Sequence, residues 1–369
     1  MKINLLENSV LLSASDIKKF VRCEFAALRE VDAELGRAVA RFSDMTPVLQ
    51  RAVELGRGHE ARQLAAYKQS GSVAEISDAS KADSAGKFAA QSETLAAVKA
   101  GAEVIFQGTF YRPDFCKVAV PGGNGEITFG FIGFVDFLQR QADGAYQVQD
   151  TKLAREAQVS ALLQLALYAE QLQDLGVRVA PQVALLLGDG VKSEHDLTDV
   201  MPLFVRQRQR VFDLIAERFA AAEPVSFDTS ELLLCLECPA CENEITSTGD
   251  VAAVAGLDAV QRVHLRAAGV KKLTDLAHLT DSNREIPGVE AQALQNLVAQ
   301  ARVQQQSLHA GRLSFAKRPG SYAVALLPEP HTQDVYLTGG YDPFIYDSGV
   351  VAGGSFAHIF KQISQLQRE

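Results

Sequence analysis

No run of about 18 apolar residues occurs in this chain of 369 residues, so no segment is long enough to cross a bilayer as a helix. The opening MKINLLENSVLLSASD has no long apolar core and carries Glu7, which excludes a secretory signal and points to the cytoplasm. Basic charge is not in excess. Lys and Arg number 36 against 45 Asp and Glu, a net charge of −9, so there is no global electrostatic footprint for nucleic acid. A single basic cleft stays compatible with that balance. The turn Pro121-Gly-Gly-Asn-Gly125 is not followed by Gly-Lys-Ser/Thr, which rules out a nucleotide phosphate loop. Cysteine is scarce: Cys23, Cys116, Cys235, Cys238 and Cys241. In a reducing compartment such thiols read as metal or cluster ligands before disulfides. What is present is apolar material, 47% of the residues, enough for real cores and for two domains or more.

The richest stretch runs from Gly133 to Tyr168, GFVDFLQRQADGAYQVQDTKLAREAQVSALLQLALY. An apolar run ends at Leu138, Asp143-Gly144 marks a turn, and a strand follows over about 145–153. Side chains alternate faces on a strand, so Asp150 and Lys152 share one, as do Phe134, Asp136 and Leu138. A three-residue loop over 142–144 makes paired residue numbers sum to 286 and sets Asp136 opposite Asp150. Gly144 then takes the left-handed position of a bulge. A two-residue loop would pair Asp136 with Thr151 instead. Two facing carboxylates repel, and Lys152 offsets only part of that. Mg2+ is the natural counter-ion, since it binds through one or two carboxylates while keeping waters and phosphate oxygens. The alternative is a half-exposed hairpin with two surface acids and a salt-bridging lysine. Residues 159–175 then read as a helix closed by Gly176, with Gln164 and Tyr168 on one face.

A Gly-x-x-Asp strand, an Asp-x-Lys strand and a Gln-x-x-x-Tyr helix in that order resemble the RecB-like branch of the PD-(D/E)XK nucleases. VQDTKLAREA, LLQLALYAEQL and VALLLGDG extend the resemblance to a bacterial RecB-family subgroup related to the CRISPR-associated RecB-like nucleases. The resemblance implies an α/β fold: a restriction-endonuclease-like core whose mixed central sheet is flanked by helices. It implies metal-dependent hydrolysis of DNA, with Asp136 and Asp150 holding Mg2+ or Mn2+, helped by the Thr151 carbonyl. Lys152 positions or activates the attacking water, and Gln164 and Tyr168 orient the DNA strand. Gly56-x-x-His59 resembles the upstream motif whose histidine is a further metal ligand, and Glu60 is carried over beside it.

Elsewhere, a capped helix from 13–16 through Leu28 carries Cys23, and 44–70 form a second helix region. Residues 71–87 read as an exposed connection, followed by a short helix near 92–99. Residues 104–111 form a strand, with Cys116 in the loop after it, and 182–187 form another strand ended by Gly188-Asp-Gly190. Arg206, Arg208 and Arg210 line one side of an amphipathic helix over 204–221, where they meet phosphates or, more often, water.

Cys235-x-x-Cys238-x-x-Cys241 is a strong metal-ligand run. Cys23 is the best fourth ligand, clamping the N-terminal helix to the end of the nuclease domain. The resemblance implies a [4Fe-4S] cluster, with zinc as the alternative. The family's later cysteine is missing near Ile245 or Thr246, a departure for which Cys235 substitutes.

From Val251 the chain turns helical, with Leu257, Leu265, Val270 and Leu276 as anchors. Ile286-Pro287-Gly288-Val289 then leads into EAQALQNLVAQARVQQQ and resembles a helix-hairpin-helix, whose turn offers backbone N–H groups to phosphate. The alternative is a small bundle that only packs on the nuclease. The tail resembles the opening of an RNase H-like domain, but Thr338 and Gly340 stand where acids are expected before Asp342-Pro-Phe344. No second active site is expected there, and the chain reads as a shortened relative of nucleases that continue into helicase domains.

The expected organisation is a nuclease domain over 1–247, a helix-hairpin-helix domain over 248–310 and a remnant over 311–369. The expected function is exonuclease, flap or single-strand cleavage in repair, recombination or defence, with DNA ends or single strands as substrate and a helicase as a possible partner. The rival readings are a non-catalytic DNA-binding protein that keeps the nuclease core as a scaffold, and an accessory subunit.

Overall fold

The computed structural model describes residues 1–40, 47–123, 125–279 and 285–316. The tail from 317 onward, with Asp342-Pro-Phe344, lies outside the described residues. In chain order the elements are β1 (Lys2–Asn4), β2 (Ser9–Ser13), α1 (Ala14–Arg22), α2 (Glu24–Glu34), α3 (Pro47–Ser70), β3 (Val73–Glu75), α4 (Ser84–Lys99), β4 (Val104–Ala119), β5 (Glu126–Arg140) and β6 (Tyr146–Lys152). Then follow α5 (Val159–Asp174), β7 (Gln182–Leu187), β8 (Lys192–Asp196), α6 (Leu197–Ala220) and α7 (Pro239–Thr248). After a 3-10 turn come α8 (Ala259–Ala267), α9 (Leu273–Ala277) and α10 (Ala291–Ala310).

The strands form one mixed sheet around β5. One edge of β5 pairs antiparallel with β4 along almost its whole length. The other edge is shared. Thr128–Ile132 pair parallel with β2, and Phe137–Arg140 pair antiparallel with β6. Between those two ladders lies the stretch from Gly133 to Asp136, where β2 and β6 fork apart. The sheet continues through β7, parallel to β6, to β8.

Residues of β5 feed two cores. Phe129, Phe131, Val135 and Leu138 join the main core, with Phe20, Leu165, Leu167, Phe204 and Phe212 contributed by α1, α5 and α6. Phe137 belongs to a smaller cluster with Leu186, and Leu64 and Tyr67 of α3 close it. The buried members of a third core, from Val251 to Ala301, knit the C-terminal helices together. Buried Arg262 ties that unit to the rest: it donates to Asp250 at 3.0 and 2.9 Å and to the Phe227 carbonyl at 3.1 Å. Its guanidinium also stands 4.4 Å from the Phe227 ring centroid.

Several expectations change. The first helix stops at Arg22, and Cys23 sits at the break in extended backbone, where its sulfur caps α2 through the Ala26 amide at 3.5 Å. Ser13 and Asp16 do form the expected cap, as a reciprocal box. The presumed connection over 71–87 contains β3, paired with β4, and the start of α4, which Asp83 caps at the Gly86 amide. Its small polar residues conceal these elements because edge pairing and capping, not apolar periodicity, hold them. Cys116 lies in β4 opposite Phe129, since the strand resumes after an irregularity between Arg112 and Cys116 that absorbs Pro113. Two of the three arginines on α6 are internal clamps: Arg208 pairs with Glu170 and Arg210 with Glu24. Arg206 is exposed.

Candidate functional site

The hairpin register is the one that the odd loop requires. Phe137 pairs with Gln149 and Arg140 with Tyr146, and Gly144 has φ +85°. Continued by one step, that register sets Asp136 against Asp150. The ladder ends just before that step. Thr151 donates its amide and its hydroxyl to Oδ2 of Asp136, at 2.8 and 2.7 Å. A carboxylate thus replaces a ladder carbonyl at the fork, and the strands splay around it.

Asp150 is 2% exposed and held from both sides. Gln164 Nε2 donates to its Oδ1 at 3.1 Å and Lys152 Nζ donates to its Oδ2. Burial first, then the Asp136 charge, pushes the Asp150 carboxyl up to about 7, against the pull of Lys152. Two acids whose joint ionisation is disfavoured, with only part of the charge offset, are the donor set that a hard divalent cation fits.

Gln164 also donates to the Tyr168 hydroxyl at 2.8 Å. Tyr168 is 5% exposed, so that hydroxyl is offered to Gln164 rather than to solvent. Its acidity is suppressed by burial first, then by the charges of Asp150 and Asp136. The glycine of Gly-x-x-Asp has a packing cause. A Cβ on Gly133 would lie 2.1 Å from the Phe110 ring, and that ring packs edge-on against Tyr168 at 5.4 Å. Gly133 therefore makes room for the ring that backs the Gln-Tyr pair.

His59 is buried on α3 with Nε2 at 2.9 Å from the Leu186 carbonyl oxygen. Its neighbour Glu60 is the residue that feels the fork. Burial first, then Asp136, raises the Glu60 carboxyl, while Gln107, Lys152 and Arg57 pull it down. Three participants had no sequence signal. Gln107 on β4 bonds Glu60, Arg57 lies one turn earlier on α3, and Lys18 on α1 shares the field of Lys152 and Asp150. Burial, then Lys152, lowers the Lys18 ammonium, with Asp150 opposing. Gln107 and Lys18 come from other elements, so only the tertiary fold brings them in.

Among the described residues, the four sulfurs of Cys23, Cys235, Cys238 and Cys241 lie within 4.8 Å of one another. Cys23 stands 3.6 Å from Cys241 and 4.0 Å from Cys238, and all five cysteines are free. Mutual contacts hold Cys235 well below the ordinary thiol range and Cys238 at about 7, while Cys23 and Cys241 are pushed up. Four sulfurs gathered this closely suit a cation. Around one tetrahedral ion with bonds near 2.3 Å, sulfurs stand about 3.8 Å apart. A [4Fe-4S] cube sets its own iron and sulfide between the thiolates and needs them further apart.

Of the hairpin residues, Ile286 and Val289 are buried in the C-terminal core, while Pro287 and Gly288 are exposed. The Val289 amide donates to the Ile286 carbonyl at 3.0 Å, closing the turn. Gly288 has φ +83°, and a Cβ there would fall 2.3 Å from the His264 ring. Glycine is therefore required for packing, whatever the loop binds.

The family described as "PD-(D/E)XK nuclease superfamily" matches residues 11–242. The solved structure "Crystal structure of SSO0001" is similar over 63% of this chain and 87% of its own, at 15% identity and a TM-score of 0.26. No curated protein matches the chain.

Proposed function

The chain belongs to the PD-(D/E)XK nuclease superfamily, and from that premise we propose that it is a Mg2+- or Mn2+-dependent deoxyribonuclease of the RecB-like branch. The observation that carries the reading is the fork itself, where Asp136, Asp150 and Lys152 converge and Gln164 fixes Asp150. When bound between the acids, the ion supplies Lewis-acid activation of water and of the phosphodiester. Asp136 and Asp150 would hold it, joined by the Thr151 carbonyl. Lys152 orients the nucleophile and offsets charge gathering on the phosphate. Gln164 and Tyr168 keep the Asp150 carboxylate in place, and Lys18 adds a second ammonium for the strand being cut.

Cleavage of DNA ends or single strands fits RecB-like resemblance better than sequence-specific cutting, and a helicase partner follows from the same resemblance. The exposed tip at Pro287 and Gly288 adds a sequence-independent DNA contact. Sulfur spacing supports one tetrahedral ion, zinc, at the cysteines over the expected cluster. Among the described residues no helix is long and apolar enough to cross a membrane.

End-labelled linear single-stranded and duplex DNA, beside circular controls, test the nuclease with Mg2+, Mn2+ or EDTA. Metal-dependent cleavage that vanishes in Lys152→Ala is expected. Binding without cleavage under every metal would favour the scaffold reading. For the cysteines, an anaerobic preparation with four irons and four sulfides per chain would overturn zinc.

A further inference from the structure

The β4–β5 ladder skips one pair. Phe106 pairs with Phe137 and Gly108 with Val135, so the same register sets Gln107 directly opposite Asp136, where no pairing is made. At that point the Gln107 backbone has φ +57°. This is left-handed geometry that a glutamine avoids, and such strain persists only where the surroundings impose it. Among the described residues, its side-chain Nε2 donates to Oε1 of Glu60 on α3. A residue next to Asp136 across the sheet therefore grips a carboxylate on the helix covering that sheet. Opposed residues on adjacent strands have Cβ atoms about 5 Å apart, so the grip brings Glu60 alongside Asp136. The electrostatic coupling of Glu60 to both Asp136 and Lys152 agrees with that placement. His59, one residue earlier, is turned to β7, with Nε2 against the Leu186 carbonyl.

We propose that Gln107 is a positioning residue that sets the Glu60 carboxylate beside Asp136, making Glu60 rather than His59 the third side-chain ligand of the divalent ion. The inference rests on the metal-nuclease reading above. It assigns a role to a helix residue whose neighbour carries the motif, and it explains an unpaired, left-handed glutamine in the middle of a long ladder.

The test is Mn2+ binding by the intact chain, read as loss of the free Mn2+ electron paramagnetic resonance signal. It needs no turnover. Thermal unfolding without added divalent ion checks each variant's fold. Asn tolerates left-handed backbone but is one methylene short, so Gln107→Asn removes the grip while sparing the local conformation. Glu60→Gln keeps size and removes the charge. Both are expected to weaken Mn2+ at least tenfold with metal-free unfolding close to wild type, while His59→Ala leaves Mn2+ affinity within twofold. Asp150→Asn, the control, abolishes binding. If Asp150→Asn abolishes binding but Glu60→Gln and Gln107→Asn bind as wild type does, the inference is wrong and the nuclease reading stands. Loss of Mn2+ in His59→Ala with none in Glu60→Gln would return the role to His59. Wild type that binds no Mn2+ overturns both.

Discussion

The carboxylate fork and the thiol cluster are two answers to one problem. Each gathers like-charged or chargeable groups in a largely buried place, and each is a donor set that a cation fits. They differ in how the chain builds them. The fork takes Asp136, Asp150 and Lys152 from one hairpin, with Gln164 from the next helix, so local register decides it. The cluster takes Cys23 from a helix break near the start and the other three from the turn into α7, so only the closed fold makes it. The fork is held by hydrogen bonds from neutral donors and one ammonium, leaving carboxylate oxygens for exchangeable ligands. Four thiols packed on each other leave no room for a substrate. On the proposed reading, one site is arranged for chemistry and the other for holding the chain together.

The largest effect that would break this contrast is on turnover. Lys152→Ala is expected to lower cleavage by about 10²–10⁴-fold while the fold survives, the range set by removing a charge-stabilising or proton-handling group. Retained cleavage would strip the fork of its catalytic role. Cys23→Ser should do the reverse: destabilise by roughly 4 kcal/mol, as loss of a structural metal does, with activity per folded molecule retained. Calorimetry against Cys116→Ser, a cysteine outside the cluster, separates ligand loss from simple thiol replacement.

A third prediction uses pH. The Asp150 carboxyl titrates near 7 in the fold but in the ordinary carboxylate range, about 3.9, when unfolded. Between those values the folded state holds more protons. Stability without added divalent ion therefore falls as pH rises from about 4 to 7, by at most ~1.4 kcal/mol per unit for one proton. Asp150→Asn should flatten the slope, and Mn2+ should restore stability at the alkaline end. A denaturation series unchanged by Asp150→Asn would mean that its burial carries no electrostatic cost.

The hairpin is where the sequence was most legible. Alternation, Asp143-Gly144 and the odd loop lead to the register that pairs Phe137 with Gln149, because period-two patterning and a left-handed glycine leave few choices. The three-cysteine run with Cys23 was legible as ligand chemistry, although not the break at Cys23, since nothing local to α1 stops it there. Gln107 and Lys18 were not legible. A left-handed glutamine has no composition signal, and a lysine on a capped helix reads as solvated surface until the β2–β6 fork opens beside it. The stretch over 71–87 failed for a related reason: edge strands and capped helix starts are fixed by partners far away in sequence.

The smallest effect is the one that most sharpens the contrast. Tyr168 gives Gln164 an acceptor, and Gln164 in turn holds Asp150. Tyr168→Phe keeps the ring against Phe110 and deletes only the hydroxyl. One buried hydrogen bond is worth about 0.5–1.5 kcal/mol, so unfolding should shift by that much, and Mn2+ affinity by less than tenfold. Because the hydroxyl is buried, KM for DNA should stay put while kcat falls modestly through a looser Asp150. A rise in KM with kcat unchanged would mean instead that Tyr168 reaches the nucleic acid. The fork would then open further around substrate than the closed packing of its own side chains implies.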